Sequence, residues 1–559
     1  MNLIQKHKDT LDRAYQACNE RSNWSGFIAS PSKKLHPAGA PEMGKAAFEA
    51  MLGQPFKLDQ PAELGRIGEE VSPYTQLALG IDYPQSQPEL LCRSALRAMR
   101  SWRSTDPDSR AAVSIELLKS IEASCFESLY ATMHTTGQSY MMSFVGSGAN
   151  ALDRGLEAIV YAHKAMTDIP AQATWRKRFG DQDLVLEKRF HYVPRGIALV
   201  ICCASFPAWN AYPAITANIM TGNPVILKPH PHAVLPMAIA VRNMRATLSN
   251  NGFDPNLVTL ATDTMQSPIA GQYFDLPEVA IVDFTGSQRF GSWIENNVRD
   301  KLIFTETSGV NSVVIESTEN LDGMLDAIAH SLCLFSAQMC TSVQNIHVPR
   351  DGIDTDQGHI GAKSLSEALV AAVDRKLANP QTAAATCATI QSANTIADLA
   401  TLQAKSGESL NILRASKSYP HPDFADARTA TPLMIEVNDS ANPIIQQEHF
   451  GPVSFVVMHE SAEAALSKAA SDAKQFGAIA THVYSANREF MDLAEVELID
   501  AGASFSCNLT GAMPLNFAAA YSDLHVTGLN PAGNACLTDL SFIANRFRIA
   551  QCRWPAGSR

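Results

Sequence analysis

The stretch "GIALVICCASFPAWNAYPAITANIMTGNPVILKP", residues 196–229, decides the fold. It opens on a continuous apolar run and passes through "PAWNAYPAITANIMTG", which has helix composition and ends at Gly222. It closes on a second short apolar run that ends at Lys228. Strands that are apolar throughout and joined by a helix need cover on both faces, which is the pattern of a parallel sheet. Working outward, "PMAIAVRNMRATLSNNG" from Pro236 reads as an amphipathic helix, with Pro at its start and Gly252 past its end. "VAIVDFTGS" and "LIFTETSG" repeat the strand-then-loop pattern. A second such region begins with "VNSVVI" at Val310 and includes the helical "SLSEALVAAVDRKLAN", where Ser364 and Glu367 have the spacing of a capping box and Pro380 follows. The sequence therefore predicts two α/β units that divide near residue 308, preceded by about 130 mostly helical residues.

Composition narrows the class. The chain has 559 residues, of which 46% are hydrophobic and 18% charged, a balance that suits a globular body of more than one core. The net charge is -12, so no global field draws it to nucleic acid or to an anionic membrane. Arg93, Arg97, Arg100 and Arg103 fall on one helical face opposite Leu91, Ala95, Met99 and Trp102, and read as a solvated face. Eleven cysteines are scattered without metal-ligand spacing, which suits a reducing compartment and no metal. The amino-terminal run has no apolar signal-type segment, and the expected location is cytoplasmic.

In an open α/β sheet the ligand site lies at the carboxyl ends of the strands. The polar residues there are Trp209 and Asn210, Lys228, Thr285 to Ser287, Glu306 and, from the second unit, Cys340 in "FSAQMCTSVQN". Singly, each has a structural explanation: a helix cap, a surface charge, a turn glycine, a solvated acid, a small buried thiol. Together, "FPAWN", "LKP", "FTGS", "ETSG", "AQMC" and "EHFGPV", in this order, resemble the NAD(P)-dependent aldehyde dehydrogenase superfamily over about residues 135 to 535. More closely, "GANALDRGLEAIVYA", "KPHPHAVLP", "SCNLTG" and "SDLHVTGLNPAGNACLTD" resemble the PaaN-type phenylacetic acid degradation proteins.

The resemblance implies an aldehyde dehydrogenase-like α/β fold. It has a Rossmann-type cofactor domain (1–177 and 197–307), a catalytic domain (308–530) and bridging segments (178–196 and 531–559) that include an oligomerisation β-hairpin. It also implies roles. Cys340 is the nucleophile, because a thiolate is the side chain best able to attack a carbonyl near neutral pH. The Asn210 amide, with the Cys340 backbone N–H, receives the oxyanion, and Glu306 is the base for hydrolysis of the thioester. Lys228 meets the adenosine ribose, Gly286 and Ser287 the pyrophosphate, and Glu448 the nicotinamide ribose, with Phe450 and Trp209 beside the nicotinamide. Asn508 lies near the substrate pocket in a structural role.

The sequence also departs from the family's pattern. Pro231 stands where an acid usually follows the lysine, which removes an obstacle to a 2'-phosphate, and His230 or His232 would be able to contact one; NADP is expected to be at least tolerated beside NAD. Ser308 replaces a glycine after the base, Asn345 an arginine after the cysteine, and the amino end is longer than usual. The expected reaction is oxidation of an aldehyde to a carboxylic acid, the aldehyde being a ring-opened, CoA-linked semialdehyde. The alternatives are a CoA-acylating enzyme, which needs no base such as Glu306, and a catalytically silent relative. The charged segment from Leu184 and the tail from Ser541 would each leave an unpaired strand edge on a monomer, so a homodimer or dimer of dimers is expected.

Overall fold

The computed structural model describes residues 2–61, 63–405, 407, 410–511, 514–537 and 539–557. At its centre the Ile197–Ile201 strand lies between Val225–Lys228 on one side and Val279–Thr285 on the other. Val258–Leu260 and Leu302–Glu306 complete a five-stranded, all-parallel sheet with the order third, second, first, fourth, fifth. The order reverses between the first and fourth strands, and that reversal opens a crevice at their carboxyl ends. Every residue of Ile197–Ile201 and Val225–Lys228 is buried, as continuous apolar runs covered on both faces require.

The crossover helix Pro207–Met220 starts on a proline and has a second, Pro213, inside it. Pro213 has no N–H to give to the carbonyl of Trp209, so the first turn, which carries Trp209 and Asn210, is released from the rest of the ladder. The helix Leu235–Asn250 follows as the sequence predicts, with Gly252 just beyond at φ 79°. Leu302–Glu306 runs directly into the second unit, a seven-stranded sheet in which Asn345–Pro349 and Ser312–Ile315 are adjacent central strands. It is parallel except at Leu410–Arg414, which pairs antiparallel with Leu433–Val437. The five-stranded sheet ends its last strand at Glu306, and Ser312–Ile315 is the next strand, in the seven-stranded sheet.

Two local expectations change. Ser364 and Glu367 form no capping box: the helix begins at Ala362, one turn early, behind Gly361, and has no side-chain cap. The charged segment and the tail, each expected to expose an edge, instead pair with each other. Phe547–Pro555 runs antiparallel along Gln182–Pro194, which pairs on its other side with Gln172–Phe179. The remaining edges belong to the two outer strands of this three-stranded sheet, whose faces are largely exposed. The amino-terminal residues are helical as expected, with Leu3–Glu20, Ala40–Met51, Pro88–Trp102, Pro107–Glu122 and Cys125–Thr136 packed around the first unit. On Pro88–Trp102, Arg93, Arg97 and Arg100 are exposed, as is Arg103 at its end, and Leu91, Ala95 and Trp102 are buried. Among the described residues no helix is long and apolar enough to cross a membrane.

Candidate active site

Cys340 is held by an unusual approach. Phe335, Ser336 and Ala337, none of them glycine, all sit in the left-handed region at φ 49°, 49° and 51°. Each left-handed residue costs roughly 1–2 kcal/mol, so the turn persists only because its surroundings over-determine it. The restraints are buried. Gln338 Nε2 donates to the carbonyls of Phe335 (3.1 Å) and Thr389 (2.9 Å), Gln391 N donates to Gln338 Oε1 (2.9 Å), and Ser336 Oγ donates to the Cys387 carbonyl (2.9 Å). Beyond the thiol, Asn311 Nδ2 donates to the carbonyls of Cys340 (2.8 Å) and Ser342 (3.0 Å). These bonds fix the backbone on both sides of the sulfur.

The structure brings Asn210, Glu306 and Cys340 together. Asn210 Nδ2 donates to Glu306 Oε1 at 2.9 Å, and that oxygen is 3.6 Å from Cys340 Sγ. A fourth group, which motif reading gave no role, completes the cluster. His525 Nε2 is 3.0 Å from Glu306 Oε1 and 3.7 Å from Cys340 Sγ, and it accepts from Trp209 Nε1 at 3.2 Å. His525 is buried, as are Glu306 and Asn210. Asn210 Oδ1, Glu306 Oε2 and His525 Nδ1 have no hydrogen-bond partner among the described residues, which leaves polar capacity for a substrate or water. Burial first, then the Glu306 carboxylate and Cys203, pushes the Cys340 thiol up, so the sulfur ionises only with a proton acceptor beside it. The donor atoms of Glu306, Cys340 and His525 lie within 4.8 Å of one another, close enough for a metal ion as well as for proton transfer. A cation there would occupy the lone pair with which Sγ attacks, so the three are read as an acid–base set and not as ligands.

Of the residues expected to hold a dinucleotide, Lys228, Gly286 and Ser287 lie at the carboxyl edge of the first sheet. Lys228 is buried and its Nζ donates to Asp263 Oδ1 at 2.8 Å, so an acid does sit beside this lysine, supplied by the neighbouring strand's loop and not by position 231. Burial first, then His232 and Lys228, lowers His230 to about 3, and burial lowers His232 as well. Both imidazoles are therefore neutral at pH 7. Gly286 precedes the helix Gln288–Asn297, and a Cβ at 286 would lie 2.7 Å from the Phe284 ring. Ser287 caps that helix from an exposed position, and such a helix start favours a phosphate.

Glu448 and Phe450 follow the turn Pro443–Gln446, and Phe450 is 41% exposed, open to a stacking partner. Glu448 Oε1 accepts from the Ser308 hydroxyl, so the serine that departs from the family pattern lies directly on the acid expected to hold a ribose. Burial pushes the Glu448 carboxyl up to about 7. Asn345 is fully buried, and its Nδ2 donates to the Ile445 carbonyl at 2.8 Å. Next to it, Gln344 bonds the Gln447 carbonyl and the His449 N–H. The arginine replacement thus anchors the Glu448 turn. Asn508 makes reciprocal bonds with the Ser485 backbone.

The parallel sheet, with a thiol, an acid and an amide brought together at its crevice, fits the dehydrogenase class. The chain belongs to the aldehyde dehydrogenase family, whose model matches residues 67–504. It is an oxidoreductase of that family. It is similar to a solved NAD-dependent aldehyde dehydrogenase from Burkholderia multivorans, at 42% identity and a TM-score of 0.97 over 100% of both chains. The 1-pyrroline-5-carboxylate dehydrogenase of Bacillus licheniformis is 23% identical over 445 residues, 77% of this chain and 79% of that protein. A Thermus 1-pyrroline-5-carboxylate dehydrogenase solved with bound NAD shares the fold at 16% identity and a TM-score of 0.71, over 95% of this chain and 100% of that one.

Proposed function

We propose that the enzyme oxidises an aldehyde to a carboxylic acid with NAD, through a thiohemiacetal and then a thioester on Cys340. The observation that carries this is the convergence of Asn210 Nδ2, Glu306 Oε1 and Cys340 Sγ at the carboxyl edge of the parallel sheet. Sγ attacks the carbonyl carbon, and the oxygen takes the negative charge. Asn210 then turns its amide hydrogens from Glu306 to that oxygen, with the Cys340 backbone N–H as the second donor. The dinucleotide, when bound, accepts a hydride. Glu306, freed from Asn210, draws a proton from the water that cleaves the thioester.

The residues fit a dinucleotide: Ser287 and Gly286 at a helix start for the pyrophosphate, Lys228 for the adenosine ribose, Glu448 for the second ribose, and Phe450 and Trp209 for the nicotinamide. NAD is favoured over NADP because an acid, Asp263, stands at Lys228 and the two nearby imidazoles are uncharged at pH 7. The PaaN-like motifs support a ring-opened semialdehyde carrying CoA as the substrate, and the relatives' names make 1-pyrroline-5-carboxylate the second compound to test. The domain boundaries at 177, 197, 308 and 531 and a homodimer or dimer of dimers belong to the same reading, with the Gln172–Phe179 and Phe547–Pro555 edges available for a partner.

The test is a scan of aldehydes, free and CoA-linked, with NAD and NADP, following reduced cofactor and free CoA. Turnover with NAD, lost in Cys340→Ala and consuming no CoA, is the expected result. CoA-dependent turnover would replace this reading with acyl transfer, and no reduction of either cofactor by a folded, cofactor-binding protein would replace it with a silent member.

A further inference from the structure

His525 is placed with care by parts of the chain that are distant in sequence. Arg154, buried, donates to the carbonyls of Asp523 (3.0 Å), Ala518 (3.2 Å) and Ala519 (3.3 Å), and so grips the loop that leads into His525. Its guanidinium also lies over the Trp209 ring, 5.5 Å from the centroid. Asp153, the neighbouring residue, accepts from the hydroxyl of fully buried Tyr521 at 2.8 Å. The amino-terminal extension reaches the same place: Gly26 N donates to Asp153 Oδ1 at 2.8 Å, Trp24 packs on the Tyr521 ring, and Arg21 bonds the Tyr521 carbonyl at 3.3 Å. From the nucleophile's side, Thr341 Oγ1 donates to the Asn516 carbonyl at 2.8 Å. Four separate segments therefore hold the imidazole against the sulfur.

The hydrogen bonds at Nε2 set its chemistry. Nε2 faces a donor, Trp209 Nε1 at 3.2 Å, and an acceptor, Glu306 Oε1 at 3.0 Å; in the tautomer that carries its hydrogen on Nδ1, the Nε2 lone pair accepts from Trp209. That lone pair is the basic atom, 3.7 Å from Sγ. Glu306 Oε1 already accepts from Asn210 Nδ2 at 2.9 Å, and its task as a base comes later, with the hydrolytic water. The same oxygen, 3.0 Å from Nε2, is well placed to accept Nε2–H once the ring is protonated.

We propose that His525 is a further catalytic residue, the base that takes the Cys340 proton so that a thiolate–imidazolium pair attacks the aldehyde. The S–H bond breaks as N–H forms at Nε2. The sulfur pair forms the S–C bond, and the C=O π pair moves to oxygen. Oxidation of the adduct by NAD leaves this proton on the ring. When water, deprotonated by Glu306, cleaves the C–S bond, the proton returns to Sγ. The charged and titratable groups around the pair are Glu306 and Cys203 beside Sγ, and Arg154 with its partner Glu157 behind Trp209. Division of labour follows: His525 serves acylation and Glu306 deacylation.

The assignment deepens the aldehyde-oxidation reading, and its test needs no aldehyde. The rate of Cys340 alkylation by iodoacetamide is followed from pH 5 to 10 by mass spectrometry of the peptide that carries it, in the free protein. Burial and the Glu306 carboxylate push the thiol up, and the imidazolium partner is expected to overcome them and bring the wild-type midpoint clearly below the ordinary thiol value of about 8.5. In His525→Gln it should move up by at least about one unit, a tenfold or greater loss of rate near pH 7, while Glu306→Gln leaves it at or below wild type. A wild-type midpoint at or above about 8.5, or superimposable wild-type and His525→Gln profiles, overturns the proposal. The wild-type criterion stands even if the variant does not fold. If alkylation behaves as expected and no aldehyde is oxidised, the substrate reading fails and the thiolate pair remains.

Discussion

Replacing Arg154 with Met tests whether the loop before His525 is held by one buried cation. Arg154 and Glu157 are both buried, with Nη1 and Oε2 3.0 Å apart, and burial is the first cause pushing the Glu157 carboxyl up, opposed by Arg154. The methionine fills most of the space but leaves the buried Glu157 carboxylate with the more distant Arg21, at 3.8 Å, as its cation, and frees the carbonyls of Ala518, Ala519 and Asp523. Breaking a buried pair from one side costs about 3–5 kcal/mol. If even the lower figure is borne locally, opening of this loop becomes easier by about two powers of ten, since each tenfold is about 1.4 kcal/mol. The assay is hydrogen exchange at amides that the structure closes, such as Ala519 N on Asp523 Oδ2 (2.7 Å) and Asp523 N on the Ala519 carbonyl (2.9 Å). Their exchange should speed up about 100-fold, with the Ile197–Ile201 strand unaffected, and a second change, Glu157→Leu, should recover part of the loss because no buried carboxylate is then left without its nearer cation. Exchange within about threefold of wild type would refute the reasoning, because a grip worth that little could not position the imidazole.

Glu306→Gln is expected to retain a first-turnover burst of reduced cofactor and to stall afterwards, because acylation and deacylation are separate steps; rapid mixing reads both phases. Ser308→Gly removes the hydroxyl bonded to Glu448 and should lower the KM for NAD by about two- to tenfold, the worth of one hydrogen bond, with kcat little changed in initial-rate assays. The Glu448 carboxyl titrates at about 7, so NAD binding by its carboxylate should strengthen as pH rises through that value. The sign for stability is opposite. The folded pKa lies above the unfolded one, so this group's contribution is full in acid, below the unfolded value, and is lost as pH rises through about 7; Glu448→Gln should flatten both profiles. Ala337→Gly should raise the melting temperature, since glycine relieves a left-handed strain of about 1–2 kcal/mol, although its greater freedom when unfolded offsets part of the gain.

Much of the fold was legible because its signals are local. The two strands and the helix of residues 196–229 are fixed by apolar runs and by Pro and Gly punctuation, and the structure has them at Ile197–Ile201, Pro207–Met220 and Val225–Lys228. The capping box at Ser364 misled because the tripeptide spacing occurs inside the helix as readily as at its start, and Gly361 won the cap position. The pairing of the tail with Gln182–Pro194 was not legible, since neither strand's own pattern names its neighbour across more than three hundred residues.

The sequence by itself determined the order of strands and helices, the class of chemistry and the thiol, acid and amide proposed to carry it. Glu306 ends a strand, Asn210 sits in the first turn of a helix, and Cys340 lies in the loop between the Leu334–Ala337 turn and the strand Asn345–Pro349. Tertiary structure decided which residues surround them. His525 reaches the sulfur across 185 positions, Asp263 answers Lys228 across 35, and Ser308 meets Glu448 across 140. Such contacts depend on the packing of separate sheets and loops, and side-chain periodicity along one strand or helix carries no information about what another brings to its end.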